Sequence, residues 1–127
     1  MTVGLSTAAA NALLTNFTAA TVVTASHVAP HTADPGSAGA TGLFTSVTTQ
    51  RAALTWAAAA SGARSITTTL PEWAVTGSGT VSHISVWSAV SAGTFQFSAA
   101  LTTSKAVTNG DTLRLTSLTV TLTPIAA

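Results

Sequence analysis

The chain has 127 residues, enough for one domain with a core of its own and short for two. Only 6% of its residues are charged, against about 25% in ordinary soluble domains, and Ala, Thr and Ser make up more than half. A net charge of +1, no cysteine and no long apolar run exclude a basic stripe for phosphate, a disulfide or thiolate framework, and a bilayer-spanning helix.

The first segment reads as a helix over residues 4–18. Leu5, Ala9, Leu13 and Phe17 recur every four residues along one stripe, and Ser6 or Thr7 can cap the start. The period then changes to two. Thr21 to Val28 is rich in β-branched residues and reads as a strand closed by Pro30. Asp34-Pro35-Gly36 is a turn, because Pro presets φ, Gly permits positive φ and Asp can bond the backbone. A glycine-spaced loop follows to Gly42, then strands over Leu43–Thr49 and Ala52–Ala58, with Ser61-Gly62 as the next turn.

Arg64 to Leu70 reads as a Thr-rich strand ending at Pro71, and Gly77-Ser78-Gly79 as a turn. Val81 to Trp87 carries Ile84 and Val86 on one face and His83 and Trp87 on the other, the pattern of a central strand covered on both sides. Phe95, Phe97, Ala99 and Leu101 alternate with smaller or polar residues, a half-buried strand. Asn109-Gly110 signals a hairpin. Leu113 and Leu115 are odd-numbered but Leu118, Val120 and Leu122 are even, so a bulge or bend is expected near Ser117. These elements predict an all-β fold: one domain over 1–127, with a short N-terminal α-helix at 4–18 and a jelly-roll-like β-sandwich at 20–125.

Few residues offer chemistry. His27 and His31 bracket Pro30 at a strand end with no Glu nearby, so no metal or other cofactor is expected. No serine sits in a G-x-S-x-G elbow, and the three acids are far apart, so no catalytic residue is assigned. Trp56 and Trp87 fall within strands and read as anchors, whereas Trp73, after Pro71-Glu72, is the tryptophan to test for surface exposure. Arg51 stands alone among small residues, placed either to bond loop carbonyls or to reach a partner.

A resemblance runs through His31-Thr32-Ala33-Asp34-Pro35-Gly36, Thr49-Gln50-Arg51-Ala52 and Ala60-Ser61-Gly62. It continues through Ser82-His83-Ile84-Ser85-Val86-Trp87-Ser88, Ala92-Gly93-Thr94-Phe95, Ala99-Ala100-Leu101-Thr102 and Asn109-Gly110-Asp111-Thr112. In this order the segments resemble small virion structural proteins of tailed phages, especially those of actinobacteria, which are labelled head decoration, minor capsid, minor tail or tail fibre proteins. The resemblance implies a compact, multimeric β-rich domain without catalytic residues.

Among these roles a capsid decoration or minor capsid protein is expected first. A surface with few ions can be buried against protein at little desolvation cost, and neither an attachment segment nor a shaft is legible. The implied partners are a major capsid protein and further copies of the chain, a homotrimer being the simplest form, with no nucleic acid and no membrane. No signal peptide is legible, so synthesis in the host cytoplasm is expected, and the decoration role implies a place on the phage head surface. Leu5, Leu13 and Phe17 on the helix, Arg51, Trp73, and Pro124 and Ile125 near the C-terminus are the candidate interaction residues. The alternative is a minor tail or tail-fibre-type protein that attaches to host glycans through Trp73 or the loops.

Overall fold

The computed structural model describes Asn11, Leu14, Thr15 and residues 25–122. The helix expected over 4–18 lies mostly outside these residues; the three described within it have helical backbone. Among the described residues there are eight strands: β1 (His27–His31), β2 (Ala52–Ala53), β3 (Ala63–Ser65), β4 (Glu72–Ala74), β5 (Gly79–Trp87), β6 (Phe95–Val107), β7 (Thr112–Arg114) and β8 (Thr119–Thr121). All pairings are antiparallel. They form one four-stranded sheet, β2-β1-β5-β6, and two two-stranded sheets, β3-β8 and β4-β7.

The chain is thus mostly β, but its ladders fall short of a jelly roll's two full sheets. The strands expected over 43–49 and 52–58 shrink to isolated bridges at Leu43, Val47 and Trp56 and to the two residues of β2. Alanine and hydroxyl side chains there offer little cross-strand contact to extend a ladder.

β1 runs through Pro30 where a stop was expected. The Pro30 carbonyl accepts from Phe44 N at 3.0 Å, on the side away from β5. The ring nitrogen faces the same way, so no ladder bond to β5 is lost. β5 is central, and one face of the β1–β5 ladder carries Val28, Pro30, Ile84 and Val86, all buried. These sit in or against a core with Phe44, Leu54, Trp73, Val75 and Leu113. Each fully buried valine there contributes about 1.5–3 kcal/mol. The opposite face carries His27, Ala29, His31, His83, Ser85 and Trp87.

The turns follow their local chemistry. Gly36 N bonds Asp34 Oδ1 at 2.9 Å. Ser61 and Gly62 both take positive φ, 51° and 75°, between reciprocally bonded Ala60 and Ala63, the geometry of a tight hairpin. Asn109-Gly110 is different. The strands that it joins do not pair: β6 lies on β5, while β7 crosses to β4. After β7 the chain leaves that sheet, and β8 pairs with β3. The slip expected near Ser117 is therefore a change of sheet.

Candidate functional site

An open cleft of about 710 Å³ lies between β6 and the segment 111–118. Its origin is an irregular register. Val81 pairs with Lys105 but His83 with Ala100, so two steps on β5 span five on β6 and residues 101–104 have no partner on β5. Ile84, Val107, Leu113 and Leu115 are buried and form an apolar floor. Thr102, Thr103, Thr112, Thr116 and Ser117 add hydroxyls to the walls.

The charges gather here. Lys105, Asp111 and Arg114 all line the cleft, and Glu72 on β4 pairs with Arg114 from beside it. That is four of the seven charged side chains in the sequence. The Glu72–Arg114 pair is exposed and contributes about 0–1 kcal/mol, so its main effect is to orient the guanidinium. Asp111 Oδ2 accepts from Thr108 N at 2.8 Å and Thr108 Oγ1 at 3.2 Å. Gly110, at φ 94°, donates its N–H to the Val75 carbonyl, and Val75 N donates to the Asp111 carbonyl. The rim is thereby fixed to β4. Sequence reasoning did not single out this cleft. The available signal was three charges within ten residues, 105 to 114, in a chain that has hardly any.

The three tryptophans make no exposed platform. Trp73, the candidate for surface exposure, is 2% exposed. It is the middle residue of β4, whose burial alternates out, in, out, and it pairs with buried Leu113. Its Nε1 has no hydrogen-bond partner among the described residues, and it lines a cavity of about 30 Å³ that shares Leu101, Leu113 and Arg114 with the cleft. Trp56 donates to the Ala25 carbonyl at 2.6 Å. Trp87 donates to Ser85 Oγ at 2.7 Å and carries Arg51 over its ring.

Arg51 is a loop clamp. Its Nη1 donates to the carbonyls of Ala89 at 3.0 Å and Ala92 at 2.6 Å. Arg64 likewise bonds backbone, at Ala57 and Thr15. The other candidate residues, Leu5, Leu13, Phe17, Pro124 and Ile125, lie outside the described residues.

The histidines are engaged in hydrogen bonds within the fold. His27 Nδ1 lies 2.8 Å from Ser26 Oγ, and His83 Nδ1 lies 2.9 Å from Ser82 Oγ. His31 bridges Thr41 and Ser85. The Ser85–His31 contact has the distance of a nucleophile and its base. Ser85 is fully buried, however, and already accepts the Trp87 N–H. Burial, and then the nearby Arg51, hold His27 below the ordinary histidine range. Burial likewise lowers His31, against the raising effect of the Thr41 carbonyl.

No curated protein matches the chain. Over residues 4–123 it matches the family described as podophage GP4 fiber I protein gp80. That span takes in every described strand, both walls of the cleft and the histidine face. The chain belongs to this family and is a bacteriophage virion structural protein.

Proposed function

We propose that the protein is a tail-fibre-type subunit that attaches the particle to the host surface through the cleft between β6 and the 111–118 segment. The observation that carries this reading is the family match over residues 4–123. A fibre description favours the tail over a decoration subunit on the head. On this reading the partners are the host surface and further copies of this chain, in place of a major capsid protein.

The cleft supplies what attachment needs. A volume of about 710 Å³ lies in the usual range for ligand sites. Lys105 and Arg114 donate, Asp111 accepts, and the surrounding hydroxyls do both. That mixture over an apolar floor suits a polyhydroxylated ligand such as a host glycan, bound by hydrogen bonds along its edges and by contact with its apolar face. Trp73 has no part in this binding, being buried. The work is binding and not catalysis, and repeated copies on one particle strengthen weak single contacts.

The test is adsorption of particles carrying Lys105→Ala or Arg114→Ala to host cells. Each is expected to lower adsorption by about tenfold at unchanged particle yield. Full adsorption by the double variant, assembled in normal amount, contradicts attachment through this cleft.

A further inference from the structure

All three histidines of the chain stand on one face of the β1–β5 ladder. His31 is directly opposite His83, and His27 is opposite Trp87. His31 is completely buried. Its Nδ1 lies 2.7 Å from the Thr41 carbonyl oxygen and its Nε2 lies 2.7 Å from Ser85 Oγ.

These distances fix the protons. A carbonyl can only accept, so the ring proton sits on Nδ1. Nε2 then accepts from the Ser85 hydroxyl, whose oxygen accepts the indole N–H of Trp87. Every proton has one acceptor: Trp87 to Ser85, Ser85 to His31, His31 to Thr41. The relay ends in the loop 32–42, which is closed at its base by Thr32 N bonding Gly42 O at 2.7 Å.

We propose that His31 is an acid-sensitive clasp: a second proton on its ring breaks the bond from Ser85 and frees the 32–42 loop from the ladder. With a proton on Nε2, the imidazolium and the Ser85 hydroxyl present donors to each other. Ser85 must turn its own proton away from the ring and, being fully buried, cannot give it to solvent. The new charge is itself buried.

The Thr41 carbonyl favours that charge, but the neighbouring side chains do not relieve it. His83 faces it from β5, His27 lies four residues back on the same face of β1, and Arg51 sits against Trp87. On β6, Ala100 is opposite His83 and Ser98 opposite Ser85, both uncharged. The carboxylate of the loop, Asp34, accepts from Gly36 N at 2.9 Å. Burial first, against the raising effect of the Thr41 carbonyl and with a lesser push from His83, keeps His31 below the ordinary histidine range. The open loop therefore takes the proton before the closed one does. Closure is complete above about pH 6.5 and is lost as pH falls through the lowered value.

The test is amide exchange, corrected for intrinsic rates, on the native chain and on His31→Asn, His27→Gln and His83→Gln. Between about pH 7.5 and about pH 5, protection across 32–42 is expected to fall by about tenfold or more while β4–β7 holds. His27→Gln and His83→Gln keep that fall, and His31→Asn abolishes it. A fall that persists in His31→Asn, or none in the native chain, overturns the proposal. Should His31→Asn not fold, the His31 imidazole is titrated by NMR in the native chain. Its midpoint must coincide with the loss of loop protection, and separate midpoints overturn the clasp.

Discussion

Arg51 lies over the indole of Trp87, its guanidinium carbon 3.8 Å from the ring centroid. From there its two carbonyl bonds hold the turn that links β5 to β6. Trp87 also packs on Phe95 at a centroid distance of 5.5 Å, so one cation organises the base of the β5–β6 pair. The rare charges of this chain act as fixed structural parts as much as solvating groups.

Arg51→Ala removes the stack and both bonds. A loss of about 2 kcal/mol is expected, read from urea unfolding. Arg51→Lys keeps the charge but loses the planar stack and is expected to recover less than half. An alanine variant as stable as the native chain means that the turn is held by other contacts.

Trp73→Ala empties a core position and is expected to cost about 3–5 kcal/mol. Trp73→Phe is milder, because the unpartnered indole N–H disappears along with the lost ring volume. Particles carrying Trp73→Phe are expected to adsorb to cells normally. Loss of adsorption with an intact fold returns this residue to the binding surface.

Gly79 opens β5 beside Phe44: a Cβ placed there comes 2.6 Å from Phe44 Cε2. Gly79→Ala is expected to cost about 1–3 kcal/mol by overpacking. Phe44→Leu in the same chain should recover part of that cost, a coupling that a double-mutant cycle measures. Strictly additive effects contradict the contact.

Global stability should fall in mild acid. His27 and His31 are both lowered in the folded state, so the unfolded chain binds protons more readily between those lowered values and about pH 6.5. Their contribution is complete above about pH 6.5 and is lost as pH drops through the folded values. Urea midpoints measured from about pH 8 to about pH 4.5 should decline below about 6.5. A flat profile there contradicts the buried environments of both rings.

The parts legible in the sequence are those set by local chemistry. The Asp34-Pro35-Gly36 turn forms as its residues dictate, and β5 is central with large side chains on both faces. The parity slip near Ser117 marks a real change in pairing, from β7 on β4 to β8 on β3. What was not legible depends on distant partners. Asn109-Gly110 has hairpin chemistry, yet Thr112–Arg114 pairs with Glu72–Ala74, far back along the chain. The same pairing turns Trp73 inward and makes one wall of the cleft. Pro30 reads as a stop because its tolerance depends on where Phe44 bonds.

Labelling this chain in intact particles and imaging them by electron microscopy tests the central claim most directly. A fibre-type attachment subunit predicts label confined to the tail appendages, in the few copies that such appendages hold. Label spread regularly over the head lattice contradicts it.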